Sequence, residues 1–347
     1  MTPTDDAAPA STSAAGGSFW FTTGDPGPAR RRVMGHTHAD VAVIGGGFTG
    51  LWSAIALLDA DPTLHVVLVE AERIGWGASG RNGGFCASSL THGLHNALLH
   101  FPDEVDVLEA EGRRNLDELV AFVRADGIDC ELEETGELTA AIAPHQVDEL
   151  REHVEIANRH GRAATFLERD EIQAAVHSPL FLAGVRQGPD EVVMLNPAKL
   201  AWGLAAAAER RGAVIHEGSR VTGLRRRAGS VEVRLEGGAT VTADQVLVGT
   251  SAYSAWLRRL SPVFVPIYDY VLMTEPVTDA QRGSLGWAGR EGLSDAGNQF
   301  HYSRWTADNR ILWGGYDAIY HPGNEVQAAY DQRPTTFDTL ARQFEDT

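Results

Sequence analysis

The apolar pattern changes period several times along the chain. In DVAVIGGGFTGLWSAIALLDADPTLHVVLVE, Asp40–Ile44 and His65–Val69 read as two continuous, buried strands. Leu51, Ala54, Ile55 and Leu58 repeat at helical spacing between them. Unbroken apolar strands flanking such a helix predict a parallel β-α-β unit covered on both faces. From about Leu90 to Asp126 the pattern is helical and charged, and two strands are expected at Ile128–Glu133 and Glu137–Ile142. Pro144 opens a helix to about His160, and Pro197 opens another to Arg211 with Leu200 and Leu204 on one face. Proline suits a first helical turn, where its missing amide has no intrahelical partner to lose. Short β runs follow, AVIHEG, RVTGLRRR, VEVRLEGG and TVTA, and QVLVGTSAYSAWL reads as strand, tight turn and helix. Residues 263–275 and 298–316 are rich in aromatic and β-branched residues, and Phe337, Leu340 and Phe344 mark a last amphipathic helix. No internal repeat is visible.

With 347 residues, 43% of them hydrophobic, the chain can bury a large core and more than one domain is expected. The net charge of −18 repels nucleic acid and anionic membrane, so neither is expected as a partner. No apolar run approaches the roughly 20 residues of a membrane helix. The N-terminal MTPTDDAAPASTSAAGGS is polar and reads as disordered, without the basic-then-apolar order of a signal peptide. Arg30, Arg31 and Arg32 lack the apolar segment an export signal needs, and Phe19-Trp20-Phe21 reads as an aromatic anchor ahead of a Gly/Pro linker. Lys199 is the single lysine. Cys86 and Cys130 have no metal or redox spacing, so no metal site is expected and reduced thiols in the cytoplasm are.

Two glycine clusters carry the chemistry. Gly45, Gly47 and Gly50 form GxGxxG with Phe48 and Thr49 inside it, after a strand and at the start of a helix, and Glu70 lies 20 residues past the last glycine. That context is a dinucleotide fingerprint: a tight turn, a bare backbone for the pyrophosphate at a helix N-terminus, close helix–strand packing, and an acid for the ribose hydroxyls. The second cluster is GWGASGRNGG, where five of the ten positions from Gly75 to Gly84 are glycine. A nicotinamide fold would continue from Glu70 and Ala71 into an ordinary crossover helix. A second glycine loop beside the first would instead wrap FAD, its glycines letting backbone approach the cofactor. Arg81 would bond phosphate, with Ser79, Asn82, Gly83 and Gly84 as further contacts.

On these stretches the chain resembles the FAD-dependent amino acid and amine oxidoreductases of the D-amino-acid-oxidase superfamily, in their gamma-glutamylputrescine oxidoreductase-like branch. SFWFTT, ADVAVIGGGFTGL, GASGRNGGF, MLNPAKLAWGLAAAAERRGAVIHEGSRVTGL, TADQVLVGTSAYS, PIYDYVLMTEP and HYSRWTADNRILWGGYD carry the likeness, over about residues 19–325. The resemblance implies an α/β fold: a Rossmann-type FAD-binding domain interleaved with an α+β substrate domain on a mixed or antiparallel sheet. The expected division is a disordered tail and linker with the aromatic anchor at 1–37, the FAD domain at 38–90 and 190–262, and the substrate domain at 91–189 and 263–347. It also implies an adenine contact at Val221 and a turn closing over the nucleotide near Thr250 and Ala252. Family members carry a further segment that returns to the first domain. Nothing in residues 317–347 matches it, so the expectation is a chain without that closing segment.

The activity implied is oxidation of an amine or amino acid at its C–N bond, with hydride passing to flavin and the imine then hydrolysing. Oxygen or another electron acceptor would be the second partner. A gamma-glutamylputrescine-like substrate is favoured. The alternatives are a sarcosine or glycine type oxidase and a truncated, non-catalytic nucleotide-binding remnant. Tyr302 and Arg304 alternate onto one strand face and are expected as the catalytic pair, Arg304 clamping a substrate carboxylate, with His301 on the other face. Tyr268, Tyr270, Tyr302, Trp305 and Trp313 are candidate apolar walls. By a loose match Arg310 takes the place of a lysine that speeds reaction with oxygen in sarcosine-oxidase-type relatives. Cys86 reads as a small buried thiol, not a flavin link.

Overall fold

The computed structural model describes residues 17–347 except Arg258 and Tyr316. The tail expected to be disordered lies outside them up to residue 16. A 3₁₀ turn at Phe19–Thr22 comes first, with Trp20 only 2% exposed. Next come β1 (His36–Ile44), α1 (Phe48–Ala60) and β2 (Val66–Val69), paired in parallel from Val41↔Val66 to Ile44↔Val69. Helix α1 buries Leu51, Ala54, Ile55 and Leu58, the face its periodicity predicts. Burying each large aliphatic side chain there contributes about 1.5–3 kcal/mol.

After the glycine loop and β3 (Phe85–Ala87), the charged helical run divides into α2 (Leu94–His100) and α3 (Val105–Ala125). Pro102 sits in the break, because proline disfavours helical backbone in the residue before it. The chain continues through β4 (Glu137–Ala141), α4 (Pro144–Arg159), β5 (Thr165–Leu167), α5 (Arg169–Ala175), β6 (Ala183–Gln187), β7 (Val192–Met194) and α6 (Pro197–Arg210). The strand expected at Ile128–Glu133 does not form beyond one bridge, Glu133↔Met194. Glu131 has φ of 53°, which breaks extended backbone. Ile128 packs instead on α6, where a Cβ at Gly203 would lie 2.3 Å from its Cγ2.

The rest comprises β8 (Val214–His216), β9 (Val221–Arg227), β10 (Ser230–Leu235), β11 (Thr240–Val248), β12 (Val271–Met273), α7 (Asp279–Leu285), β13 (Gly292–Asp295), β14 (His301–Trp305), β15 (Ile311–Gly315) and α8 (Pro334–Asp346). TVTA and QVLV merge into β11, and the element after it is a 3₁₀ turn, Ser251–Trp256, rather than an α-helix. No described helix is long and apolar enough to cross a membrane.

Two large sheets result. One has the order β8-β2-β1-β11-β10-β9; its first four strands are parallel and β10 and β9 are antiparallel. The other has the order β12-β15-β14-β13-β4-β6-β5 and is antiparallel except for the β13–β4 pair. The fold class is the expected one, α/β with a mixed sheet beside the Rossmann-type unit. The ribbon β3–β7 meets the second sheet at Gly292, where a Cβ would lie 2.4 Å from Phe85 and 2.5 Å from Met194.

Candidate active site

Three coils converge beyond the carboxyl ends of β1, β2 and β11, the position at which open parallel sheets bind ligands. Gly45 turns with φ of 107°, and a Cβ there would lie 2.5 Å from the Gly249 carbonyl. A Cβ on Gly50 would lie 2.0 Å from the Gly45 carbonyl, so α1 starts directly on the turn. Gly47 is the N-cap of α1 and supplies no side chain to the first-turn amides. Phe48 donates its amide to Ser79 Oγ at 3.0 Å, and Thr49 faces solvent. At the end of β2 the Glu70 carboxylate accepts from the amides of Gly46 (2.7 Å) and Glu72 (2.9 Å). Burial raises its pKa, and those amides oppose the rise. Ala71 follows it, half-buried.

The glycine-rich loop corrects part of the sequence reading. Its glycines were expected to bare the backbone for a cofactor, but most are required by the protein's own packing. A Cβ on Gly80 would lie 2.3 Å from the Gly75 carbonyl, one on Gly83 2.6 Å from the Tyr302 ring, and one on Gly84 2.2 Å from the Leu195 carbonyl. Gly47 differs: its Cβ would meet only the Ser79 hydroxyl, at 2.8 Å. Asn82 braces the loop, accepting from Gly84 and donating to the Ala78 and Ser79 carbonyls. Arg81 is committed to contacts within its own loop and with Asp331. Its Nε donates to the Trp76 carbonyl, its guanidinium lies 4.8 Å over the Trp76 ring, and Nη1 pairs with Asp331 at 3.5 Å.

The remaining nucleotide-side candidates lie on the first sheet and its last coil. Val221 opens β9 and packs in the core cluster that contains Val67 and Val69. Thr250 Oγ1 bonds Ser254 Oγ at 2.7 Å, and Ala252 is half-buried in the same turn. The loop holds the anchor as well: Trp20 Nε1 donates to the Asn82 carbonyl at 2.8 Å, and no periodicity in the sequence signalled that contact.

On the second sheet, Tyr302 lies between two glycines, Gly83 of the loop and Gly314 of β15, where a Cβ would lie 2.5 Å from its Cζ. Its hydroxyl donates to Asp269 Oδ2 at 2.6 Å, and burial followed by the Asp269 charge raises its pKa. Asp269 was not singled out in the sequence, although it is the one acid inside the apolar run PIYDYVLM. The expectation for Arg304 is overturned. It is 1% exposed, with Nη1 donating to the Leu195 (2.7 Å) and Gly84 (3.1 Å) carbonyls and Nε to Trp305 O. Burial pulls its pKa down to about 10. A guanidinium committed to backbone carbonyls beneath the loop is not presented to a substrate carboxylate.

The expected walls also divide. Trp305 and Trp313 are core residues, 2% and 5% exposed, and Trp313 stacks on His301. Tyr270 gives its hydroxyl to the Tyr330 carbonyl and Tyr268 to the Gln327 carbonyl. Arg310 pairs with Asp308 at 2.8 Å and lies 5.6 Å from the Phe19 ring. Cys86 is a half-buried free thiol whose pKa desolvation pushes up to about 11, which keeps it protonated at neutral pH. Two cavities, about 390 Å³ at Lys199 and Trp202 and about 300 Å³ behind β14 at His301 and Gln343, lie away from the glycine junction.

The residues at the junction fit an adenine dinucleotide. An α-helix N-terminus capped by glycine offers backbone donors to an anion, a cradle that a Cβ on Gly47 would begin to fill adjoins it, and a carboxylate stands at the next strand end to accept from a ribose.

Comparison with known proteins agrees with that geometry. A family model described as FAD dependent oxidoreductase (DAO) matches residues 40–346. A probable oxidoreductase, OrdL, of Rhizobium meliloti (strain 1021) is 30% identical over 316 residues, 87% of this chain and 70% of that protein. Gamma-glutamylputrescine oxidoreductase of Escherichia coli (strain K12) is 31% identical over 291 residues, 80% of this chain and 64% of that protein. The chain thus spans 64–70% of the length of these two relatives. Among solved structures, glycine oxidase from Geobacillus kaustophilus superposes with a TM-score of 0.65 at 20% identity, covering 87% of this chain and 80% of that one. L-proline dehydrogenase from P. horikoshii gives 0.63 at 19% identity, covering 82% and 71%. These last two likenesses concern the fold.

Proposed function

The chain belongs to the DAO family of FAD-dependent oxidoreductases, and from that premise we propose that it oxidises the C–N bond of a small amine or amino acid, a gamma-glutamylputrescine-like amine foremost. The observation that carries the reading is the junction of the glycine-capped α1 N-terminus, the Glu70 carboxylate and the Ser79 hydroxyl at one end of the parallel strands. Gly45–Gly50 and the Ser79 loop would hold the diphosphate and Glu70 the ribose. Val221, Thr250 and Ala252 would border the nucleotide. The flavin, when bound, supplies a two-electron acceptor. The chain's own part is to orient the substrate carbon and to exclude water. Tyr302, fixed between Gly83 and Gly314, joins the loop to the substrate sheet together with Arg304. Loss of hydride from the carbon beside a neutral amine nitrogen yields an iminium cation, which takes up water and splits to a carbonyl compound and an ammonium ion or a protonated amine.

The two sheets support the interleaved division set out from the sequence, with the first sheet on the cofactor side and the second on the substrate side. Oxygen or another acceptor would reoxidise the flavin, and a cytoplasmic setting belongs to the same reading.

The test is to load the purified chain with FAD and add candidate substrates anaerobically. Bleaching of the flavin absorbance by gamma-glutamylputrescine, faster than by glycine or sarcosine, is the expected result. Preference for sarcosine or glycine favours the rival oxidase type. A chain that cannot be reconstituted with FAD sinks the proposal.

A further inference from the structure

The face of the second sheet that bears Tyr302 carries two carboxyl groups without a cation to answer them. Tyr302 is directly opposite Ser294 in the β13–β14 register, so the two share a face. Ser294 Oγ donates to Glu137 Oε1 at 2.8 Å, placing that carboxyl on the same face. On the other side of Tyr302, Asp269 takes the tyrosine hydroxyl. Among the described residues no Lys, Arg or His lies within 4.0 Å of either carboxylate, by contrast with Glu133, Glu131 and Asp331, which pair with Arg290, Lys199 and Arg81. The one arginine that shares the face, Arg304, is sealed beneath it by backbone carbonyls.

Asp269 also has the exposure a binding group needs. Burial alternates through Pro266–Tyr270, so Ile267 and Asp269 are exposed while Pro266 and Tyr270 are buried. Ile267 is 62% exposed, and Phe300, 39% exposed, lies 6.4 Å from the Tyr302 ring. An exposed carboxylate beside exposed aliphatic and aromatic surface matches an ammonium group on an alkyl chain, not an α-carboxylate. Protein on its inner sides still raises the Asp269 pKa by desolvation, against hydrogen bonds from Tyr302 and the backbone.

We propose that Asp269 is the substrate-recognition carboxylate of this chain, that it binds the ammonium of a primary alkylamine, and that Tyr302 holds it in place. This rests on the amine oxidation proposed above and narrows its substrate class. Holding the ammonium does not oppose oxidation. One proton passes from the substrate nitrogen to a carboxylate oxygen of Asp269, and the ion pair becomes a neutral pair of amine and carboxylic acid.

The probe is tert-butylammonium, which has no hydrogen on the carbon beside nitrogen and cannot be oxidised. Pivalate is its anionic counterpart. Calorimetry on the full chain, with and without FAD, should show preference for tert-butylammonium over pivalate. Asp269→Asn should weaken tert-butylammonium about ten- to a hundredfold, the loss of one charge-assisted hydrogen bond. Asp269→Glu should restore part of the affinity. Tyr302→Phe, which leaves the carboxylate charged, should retain the preference for the cation and guards against misfolding of the Asp269 variants. Equal affinity of wild type and Asp269→Asn for tert-butylammonium, no binding by wild type, or a preference for pivalate overturns the inference. A yellow chain bleached by amines but indifferent to Asp269 loses only this inference. A chain that binds tert-butylammonium through Asp269 but takes up no FAD loses only the flavin reading.

Discussion

Two walls of different material meet at the glycine loop. The first is backbone: the turn at Gly45–Gly50, the loop at Gly75–Gly84 and the coil after β11 touch one another through carbonyls and missing side chains. The second is side chain: Tyr302 and Ser294 share a face by sheet register, Asp269 reaches Tyr302 from the coil ahead of β12, and Arg304 is pinned below them. A backbone wall tolerates almost no substitution where two main chains cross. A side-chain wall can change what it binds by single residues while the sheet beneath stays the same. Demand for shape and freedom of side-chain chemistry therefore fall on different walls.

The sharpest way to break that comparison is Gly50→Val. Its Cβ would sit 2.0 Å from the Gly45 carbonyl, so α1 must leave the turn, and thermal denaturation should show gross loss of the folded state. Gly47→Val on the same wall meets only the Ser79 hydroxyl at 2.8 Å; it should melt near wild type yet lose FAD uptake, read from the visible spectrum. If both unfold alike, the wall is not graded as described.

Next in size is Arg304→Met, which strips a donor from the Gly84 and Leu195 carbonyls. The Gly84 carbonyl keeps the Leu195 amide, but the Leu195 carbonyl loses its donor, which costs about 1–3 kcal/mol, measurable in urea unfolding. Arg304→Lys should recover little, because an ammonium cannot reproduce the guanidinium fork. A smaller effect is expected for Glu70→Gln: affinity for FAD should fall about tenfold by fluorescence titration, since one charge-assisted bond becomes neutral. Stability should fall as well, by about 1–3 kcal/mol, because glutamine replaces one of the two oxygens that accept from the Gly46 and Glu72 amides with a donor.

The smallest effect lies behind the second wall, where His301 Nδ1 meets Asp295 Oδ2 at 2.9 Å. Burial lowers the His301 pKa, but the bonds to Asp295 and Gln343 outweigh it and the net shift is upward. A histidine raised on folding contributes stability that is complete below its ordinary value of about 6.5 and fades as pH rises through the higher folded value. Asp295→Asn should flatten that part of the stability–pH curve. An unchanged curve would show that the pair contributes nothing to folding.

The two walls also differ in how far they could be read in advance. The fingerprint at Gly45–Gly50 and Glu70 was legible because turn, helix start and strand end are local in sequence. The same local reading gave Gly75–Gly84 as a loop but not its purpose, since the carbonyls that exclude Cβ atoms at Gly84 come from Leu195, far along the chain. Alternation put Tyr302 and Arg304 on one face. It carried no information on what fills the space below, which is where Arg304 ends. Asp269 was visible as an acid among tyrosines, but its bond to Tyr302 spans three strands of a sheet whose order no periodicity reveals. The missed elements between residues 161 and 196 are short, three to seven residues each, below the length at which a period is distinguishable.

Trp20 packs with Ala198 and Leu312 and bonds the loop at Asn82. On the ribosome the twentieth residue emerges early, yet its seat is not complete until the strand at Ile311–Gly315 has been translated. The first tryptophan of the chain must therefore wait, exposed, for the last described strand, and nascent chains released before that point should be the ones that chaperones capture.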